Sequence, residues 1–246
     1  MNRICTVLLT SCVLSCSETN QNELHLQPWF LNEAADRGFE FIYESGFDGT
    51  PKYPEIFGGG VALFDVEGDG DLDIYVVQGG SIIGTDPLGV SNQLFINDGL
   101  GYFANATEGS GAADAGYGMG AATGDYDNDG DLDLYVTNVG ENTLLRNNGD
   151  GTFTESLKKY FGHTSRFSMG NDVADINNDG RPDLLSLDML PEDEVALKSS
   201  EGDDNIQTQK MRIDRFGYHY QFTRNMLFVN QPDGNFMETA LMSGIA

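Results

Sequence analysis

Carboxylates recur in this chain at a spacing suited to holding a hard cation. Three nine-residue stretches, at 65–73, 125–133 and 175–183, share one pattern. Oxygen-bearing side chains stand at the first, third, fifth and ninth positions. They are Asp65, Glu67, Asp69 and Asp73, then Asp125, Asp127, Asp129 and Asp133, then Asp175, Asn177, Asp179 and Asp183. The sixth residue is glycine each time, which permits a sharp bend. The seventh varies (Asp71, Asp131, Arg181), as suits a position that offers only its backbone carbonyl. Ca²⁺ takes ~6–8 oxygen ligands at ~2.3–2.6 Å, and alternate residues of a tight turn can aim several oxygens at one point. So many carboxylates without a cation would repel one another. The pattern predicts up to three calcium sites. The third, with one carboxylate fewer and Arg181 close by, is expected to bind most weakly. An EF-hand is excluded, because it needs Glu at position 12 and a helix on each side, and Val76, Val136 and Ser186 stand there.

Short apolar runs flank each loop. Val61–Phe64, 121–123 and 173–174 precede them, and 74–77, 134–137 and 184–187 follow, so each loop reads as the turn between two strands. A third strand pattern follows at Asn92–Asn97, Asn142–Asn147 and Asn225–Asn230. Each runs into an Asn/Asp/Gly turn, and a fourth strand starts at Phe103, Phe153 and Phe236. Glycines at 58–60, 118 and 120, and 170 precede the loop strands, where they suit close backbone packing. The units lie 50 to 60 residues apart and hold four strands each. The fold class expected is all-β, a β-propeller of four-stranded blades with about three blades present. Residues 30–38 resemble 236–244, so the chain opens with the end of one repeat and stops inside the approach to another. An incomplete ring, the N-terminal portion of a longer protein, is expected. Unit three carries an insertion, 188–224, absent from its sisters.

The formal net charge is −26, which disfavours nucleic acid and anionic lipid headgroups. Aromatics at 11% argue against disorder. All the cysteines lie within the first 16 residues. A basic start followed by an apolar run reads as a signal peptide over 1–15. Val13-Leu14-Ser15-Cys16 resembles a bacterial lipobox, with Cys16 as the lipidated residue and Cys12 as the alternative. Residues 16–28 are then the lipidated cysteine and its tether, and the blades occupy 29–246. The expected place is the bacterial cell envelope, lipid-anchored, or outside the cell, with the membrane met only through the anchor.

Catalytic signals are poor. No Gly-x-Ser-x-Gly elbow and no complete dinucleotide-binding glycine motif occur. His25, His163 and His219 are scattered, and only His219, Tyr220 and Arg224 offer a local candidate set. Two expectations stand side by side. One is a calcium-stabilised surface module that binds an extracellular protein or glycan and is not an enzyme. The other is a secreted carbohydrate-active lyase or hydrolase on the same scaffold. The insertion holds Lys210, Arg212, Arg215 and Arg224 beside Phe216, Tyr218, Tyr220 and Phe222, a composition suited to partner contact.

The loops resemble the FG-GAP/VCBS repeat, the calcium-loop blade also found in integrin α-chain propellers. Residues 54–65, Asp188-Met189-Leu190-Pro191-Glu192 and 218–225 are similar to segments of bacterial cartilage-acidic-protein-like proteins. Those proteins carry VCBS repeats followed by an ASPIC/UnbV domain. The resemblance covers roughly 29–246 and implies a secreted or surface-attached, calcium-loop β-propeller.

Overall fold

Short apolar runs, punctuated by glycine and asparagine turns, pair into three antiparallel sheets of four strands each. In the computed structural model, the described residues are 29–82, 89–189, 195 and 206–245. The expected signal peptide, Cys16 and its tether, and part of the insertion lie outside them. The chain divides into Met1–Glu33 and Ala34–Ala246, and the second unit holds every described strand.

Blade one runs β1 (Val61–Phe64), β2 (Asp73–Val76), β3 (Gln93–Asn97), β4 (Phe103–Asn105). Blade two runs β5 (Tyr117–Gly124), β6 (Asp133–Val139), β7 (Thr143–Asn147), β8 (Phe153–Glu155). A two-residue strand, β9 (Thr164–Ser165), precedes blade three. Blade three is β10 (Ser168–Ala174), β11 (Asp183–Asp188), β13 (Met226–Asn230), β14 (Phe236–Glu238), with β12 (Gln221–Phe222) inside the insertion. The strands of each blade pair in chain order. The fourth strands begin at Phe103, Phe153 and Phe236, where the sequence placed them.

Each blade buries one face against the next. Ala62, Phe64, Tyr75 and Leu94 of blade one meet Leu134, Val136, Leu145 and Phe153 of blade two in one core. Tyr126, Tyr135 and Leu144 of blade two meet Leu184, Met226 and Phe228 of blade three in a second. Burying a large apolar side chain contributes ~1.5–3 kcal/mol, so these two seams hold the arc together. Glycine lets both seams close tightly: a Cβ on Gly60, just before β1, would lie 2.8 Å from Gly120 Cα, and one on Gly124 2.4 Å from Val173 Cγ1. Among the described residues the blades form an open arc, not a closed ring. Val61 and Leu63 on blade one, and Leu187, Met237, Leu241 and Met242 at the other end, stay exposed.

The repeat noticed at the start of the chain is structural. The short 3₁₀ turn Ala35–Arg37 ends in left-handed Gly38, as the helical turn Ala240–Ser243 ends in left-handed Gly244.

The insertion departs from a plain loop. It contains a helix, Ile206–Phe216, and β12, which pairs in parallel with β9. Its base is closed as in the other blades, by the asparagine that opens the third-strand motif. Asp188 N–H donates to Asn225 Oδ1 at 2.9 Å. Gln78 N–H donates to Asn92 Oδ1 at 2.6 Å and Asn138 N–H to Asn142 Oδ1 at 2.9 Å. No described helix is long and apolar enough to cross a membrane.

Candidate functional site

The three acidic loops connect the first and second strands of their blades, on the same side as the turns between third and fourth strands. Each winds around its first aspartate. Asp125 Oδ1 accepts the Asp129 N–H at 3.0 Å and Asp125 Oδ2 the Gly130 N–H at 3.0 Å. Asp65 and Asp175 accept the same pair of amides in their own loops. The fifth-position carboxylates, Asp69, Asp129 and Asp179, each accept the N–H of the seventh residue. The fourth position is left-handed in every loop, occupied by Gly68 (φ 72°), Asn128 (φ 57°) and Asn178 (φ 58°). Asparagine tolerates that region nearly as glycine does, so Gly68 is a conformational equivalent and not a defect of loop one.

The ninth aspartate does structural work that the spacing alone did not reveal. Asp133 is buried and takes two backbone amides, Tyr126 N–H at 3.0 Å and Asn147 N–H at 2.8 Å. Asp73 takes those of Val66 and Asn97, and Asp183 those of Ile176 and Asn230. Each therefore pins its loop to the end of the third strand. Burial pushes the Asp133 carboxyl up to about 7; the two amides oppose this, and the Asp127 and Asp129 charges add to it. Burial also raises Asp73, and raises Glu67 together with the charges of Asp73, Asp69 and Asp65. Exposed Asp175 is lowered, chiefly by the Gly180 amide.

Oxygens for a cation converge best in loop two. Ligand atoms of Asp125, Asp127 and Asp133 lie within 4.8 Å of one another. Two third-position oxygens, Glu67 Oε2 and Asp127 Oδ1, are buried with no hydrogen-bond partner. A buried orphan acceptor is costly unless something supplies positive charge. The residues therefore fit the calcium that the spacing implied. Asp71 and Asp131 turn away: their carboxylates sit over Gly99 and Gly149 in the neighbouring hairpins, as suits a position contributing only its carbonyl. Arg181 bonds Asp179 Oδ2, and its Nε donates to the Asn230 carbonyl at 3.2 Å. Residues 175–180 of loop three are exposed throughout, whereas Asp65, Glu67, Asp125 and Asp127 are half-buried.

Two kinds of residue escaped the sequence reading. Arg146 on β7 pairs with Asp127 at 2.6 Å and Asp129 at 2.5 Å. The asparagine ending the third strand reaches into the preceding blade's loop: Asn147 Nδ2 donates to the Val66 carbonyl at 2.8 Å, and Asn230 Nδ2 to the Tyr126 carbonyl at 2.7 Å. The recurrence of Asn97, Asn147 and Asn230 is the available signal, though alone it marks only the end of a strand.

The local set His219, Tyr220 and Arg224 does not converge. His219 Nε2 bonds the Phe161 carbonyl at 2.6 Å, Arg224 pairs with Glu238 at 2.6 Å, and Tyr220 is exposed.

A search of curated proteins finds no match to the chain. The family model for the FG-GAP-like repeat matches residues 65–136 and 125–186, and these two matches span loops one to three. Residues 65–186 carry FG-GAP-like repeats, and the sheets built from them are blades of the propeller type.

Proposed function

We propose that this chain is a calcium-stabilised β-propeller module, anchored outside the cell through Cys16, that binds an extracellular protein or glycan. The observation carrying the calcium reading is the pair of buried, partnerless oxygens at the same third position of two loops, Glu67 Oε2 and Asp127 Oδ1. Bound calcium would neutralise the clustered carboxylates and draw each loop's first, third, fifth and ninth side chains to one centre. Asp65, Asp125 and Asp175 would hold the loop backbone while offering a remaining lone pair, and Asp73, Asp133 and Asp183 would tie that centre to the third strand. Loop three, exposed and with Asn177 in place of a carboxylate, would bind least tightly. The address outside the cell, the ASPIC/UnbV kinship and the lipid anchor rest on the sequence. Millimolar calcium outside cells suits weak sites of ~10⁻⁴–10⁻³ M.

The partner surface proposed is the insertion. Its chain alternates from 218 to 223: His219, Gln221 and Thr223 turn inward, and Tyr218, Tyr220 and Phe222 stand outward. Polar contacts dock it on blade two, through His219 N–H to Glu141 at 3.2 Å and Gln221 to the Gly140 carbonyl, and Phe222 packs edge-on against His163. Exposed rings beside cations suit a protein hot spot or the face of a sugar.

Thermal melting in metal-depleted buffer and in millimolar calcium tests the calcium reading. Ligand that binds only the native state adds ~1.4 kcal/mol per site at ten times its Kd. A calcium-dependent rise in Tm of several degrees is expected, and superimposable curves would remove the reading.

A further inference from the structure

Loop two already carries a cation of its own. Arg146 projects from β7, its Nε 2.6 Å from Asp127 Oδ2 and its Nη2 2.5 Å from Asp129 Oδ2. These are the third- and fifth-position carboxylates that a metal would use. The contact is partly shielded, with the side chains of Arg146, Asp127 and Asp129 exposed by 32%, 21% and 30%. Its sisters differ at this point of the third strand, which holds Ile96 in blade one and Val229 in blade three. In loop three the competing guanidinium comes from Arg181 and reaches only Asp179 among the loop carboxylates. No basic side chain is paired with the loop-one carboxylates among the described residues.

We propose that Arg146 and a divalent cation compete for Asp127 and Asp129, so that loop one fills at lower calcium than loop two, and loop two fills only as the guanidinium turns away. A dication and a guanidinium sharing the same two carboxylates would lie within a few ångströms and repel. The displaced side chain has somewhere to go. Arg146 borders an open groove of about 570 Å³ lined also by Thr154, Glu155, Lys158, Lys159 and Tyr160, through which the guanidinium can swing toward solvent. Asp127 Oδ1, buried and without a partner, is the oxygen still free for the incoming ion beside Asp125 and Asp133. Arg146 therefore acts as a built-in occupant that holds the loop in shape when calcium is scarce. The inference rests on the calcium reading of the loops.

Calcium titration calorimetry on the full chain, wild type against Arg146→Gln, tests it, with melting in metal-depleted and calcium-containing buffer. Arg146→Gln should tighten one site about threefold to tenfold, the range expected from losing two partly exposed ion pairs. It should lower the metal-free Tm and leave the calcium-loaded Tm unchanged or higher. Adding Asp125→Asn should remove the tightened site and leave the others. Arg146→Ile, the residue type blade one holds at this position, guards against a folding artefact and should give the same shifts. Unchanged or weakened affinity in both variants overturns the competition while leaving the calcium loops intact. A calorimetric blank for wild type and variants removes the calcium reading and this inference with it.

Discussion

Asp133 shows how one residue can serve two roles that pull against each other. Each of its two oxygens pins one backbone amide and keeps a lone pair for the proposed cation, yet its burial disfavours the charge that a metal ligand needs. A carboxyl whose folded pKa is raised from 3.8 to about 7 favours folding below the lower value and loses that contribution as pH rises through the upper one. Its share is at most about 4 kcal/mol. Asp188, raised to about 6 chiefly by burial, acts in the same direction. Metal-depleted protein should therefore be less stable at pH 8 than at pH 5, read as a lower urea midpoint. Calcium should flatten the slope, since the ion binds the ionised carboxylate, and its own affinity should weaken as pH falls below about 7. A metal-free midpoint that is constant or rises with pH would contradict the assignment.

At the scale of the blade, Asn147 joins elements that the sequence separates widely. It donates to Val66 in loop one and to Leu132 at 3.2 Å in loop two, and its Oδ1 accepts the Gly149 N–H at 2.9 Å. Asn97, at the same point of blade one, donates within its own blade, to Leu72 at 3.1 Å. Asn147→Ala leaves a buried carbonyl unpaired and should cost about 1–3 kcal/mol more than Asn97→Ala. Chemical denaturation of the two variants decides, and equal losses would mean that the bond between blades is worth nothing measurable. The contrast marks what could be read from sequence. The loops are legible because their geometry is local, set by residues at most eight positions apart. The four strands of each blade were legible from short apolar runs recurring in every unit, and Phe103, Phe153 and Phe236 marked the starts of the fourth strands. Arg146 and Asn147 were not, because their partners depend on how sheets stack. The β9–β12 ribbon and the helix Ile206–Phe216 were missed for a related reason: two-residue strands carry no period, and the insertion has no sister repeat for comparison.

At the scale of the whole molecule, the arc has two differently equipped sides. The acidic loops lie on one, beside the turns that join third to fourth strands. The connections between second and third strands lie on the other, so the proposed calcium sites and the proposed contact surface are separate. If the insertion is the contact surface, Tyr220→Ala and Phe222→Ala should each weaken binding at least tenfold, measured on a glycan array and on intact cells. Tyr220 is half exposed, so its loss should move folding stability by no more than about 0.5 kcal/mol, whereas Phe222 packs on His163 and should cost more. Full binding by the double variant would send the search for the partner elsewhere on the molecule.

The reach of Asn147 to Val66, and of Asn230 to Tyr126, has a direction. Among the described residues, loops one and two are each grasped by the sheet made after them. During synthesis loop one must wait for residue 147 to emerge before its outer contact exists, and loop two for residue 230. A growing chain that has not reached those residues holds each loop through its own blade alone. A pull applied from the C-terminal side would undo the contacts in the reverse order, freeing loop two before loop one. Under tension from that end, the hold of Asn230 on Tyr126 would part before that of Asn147 on Val66.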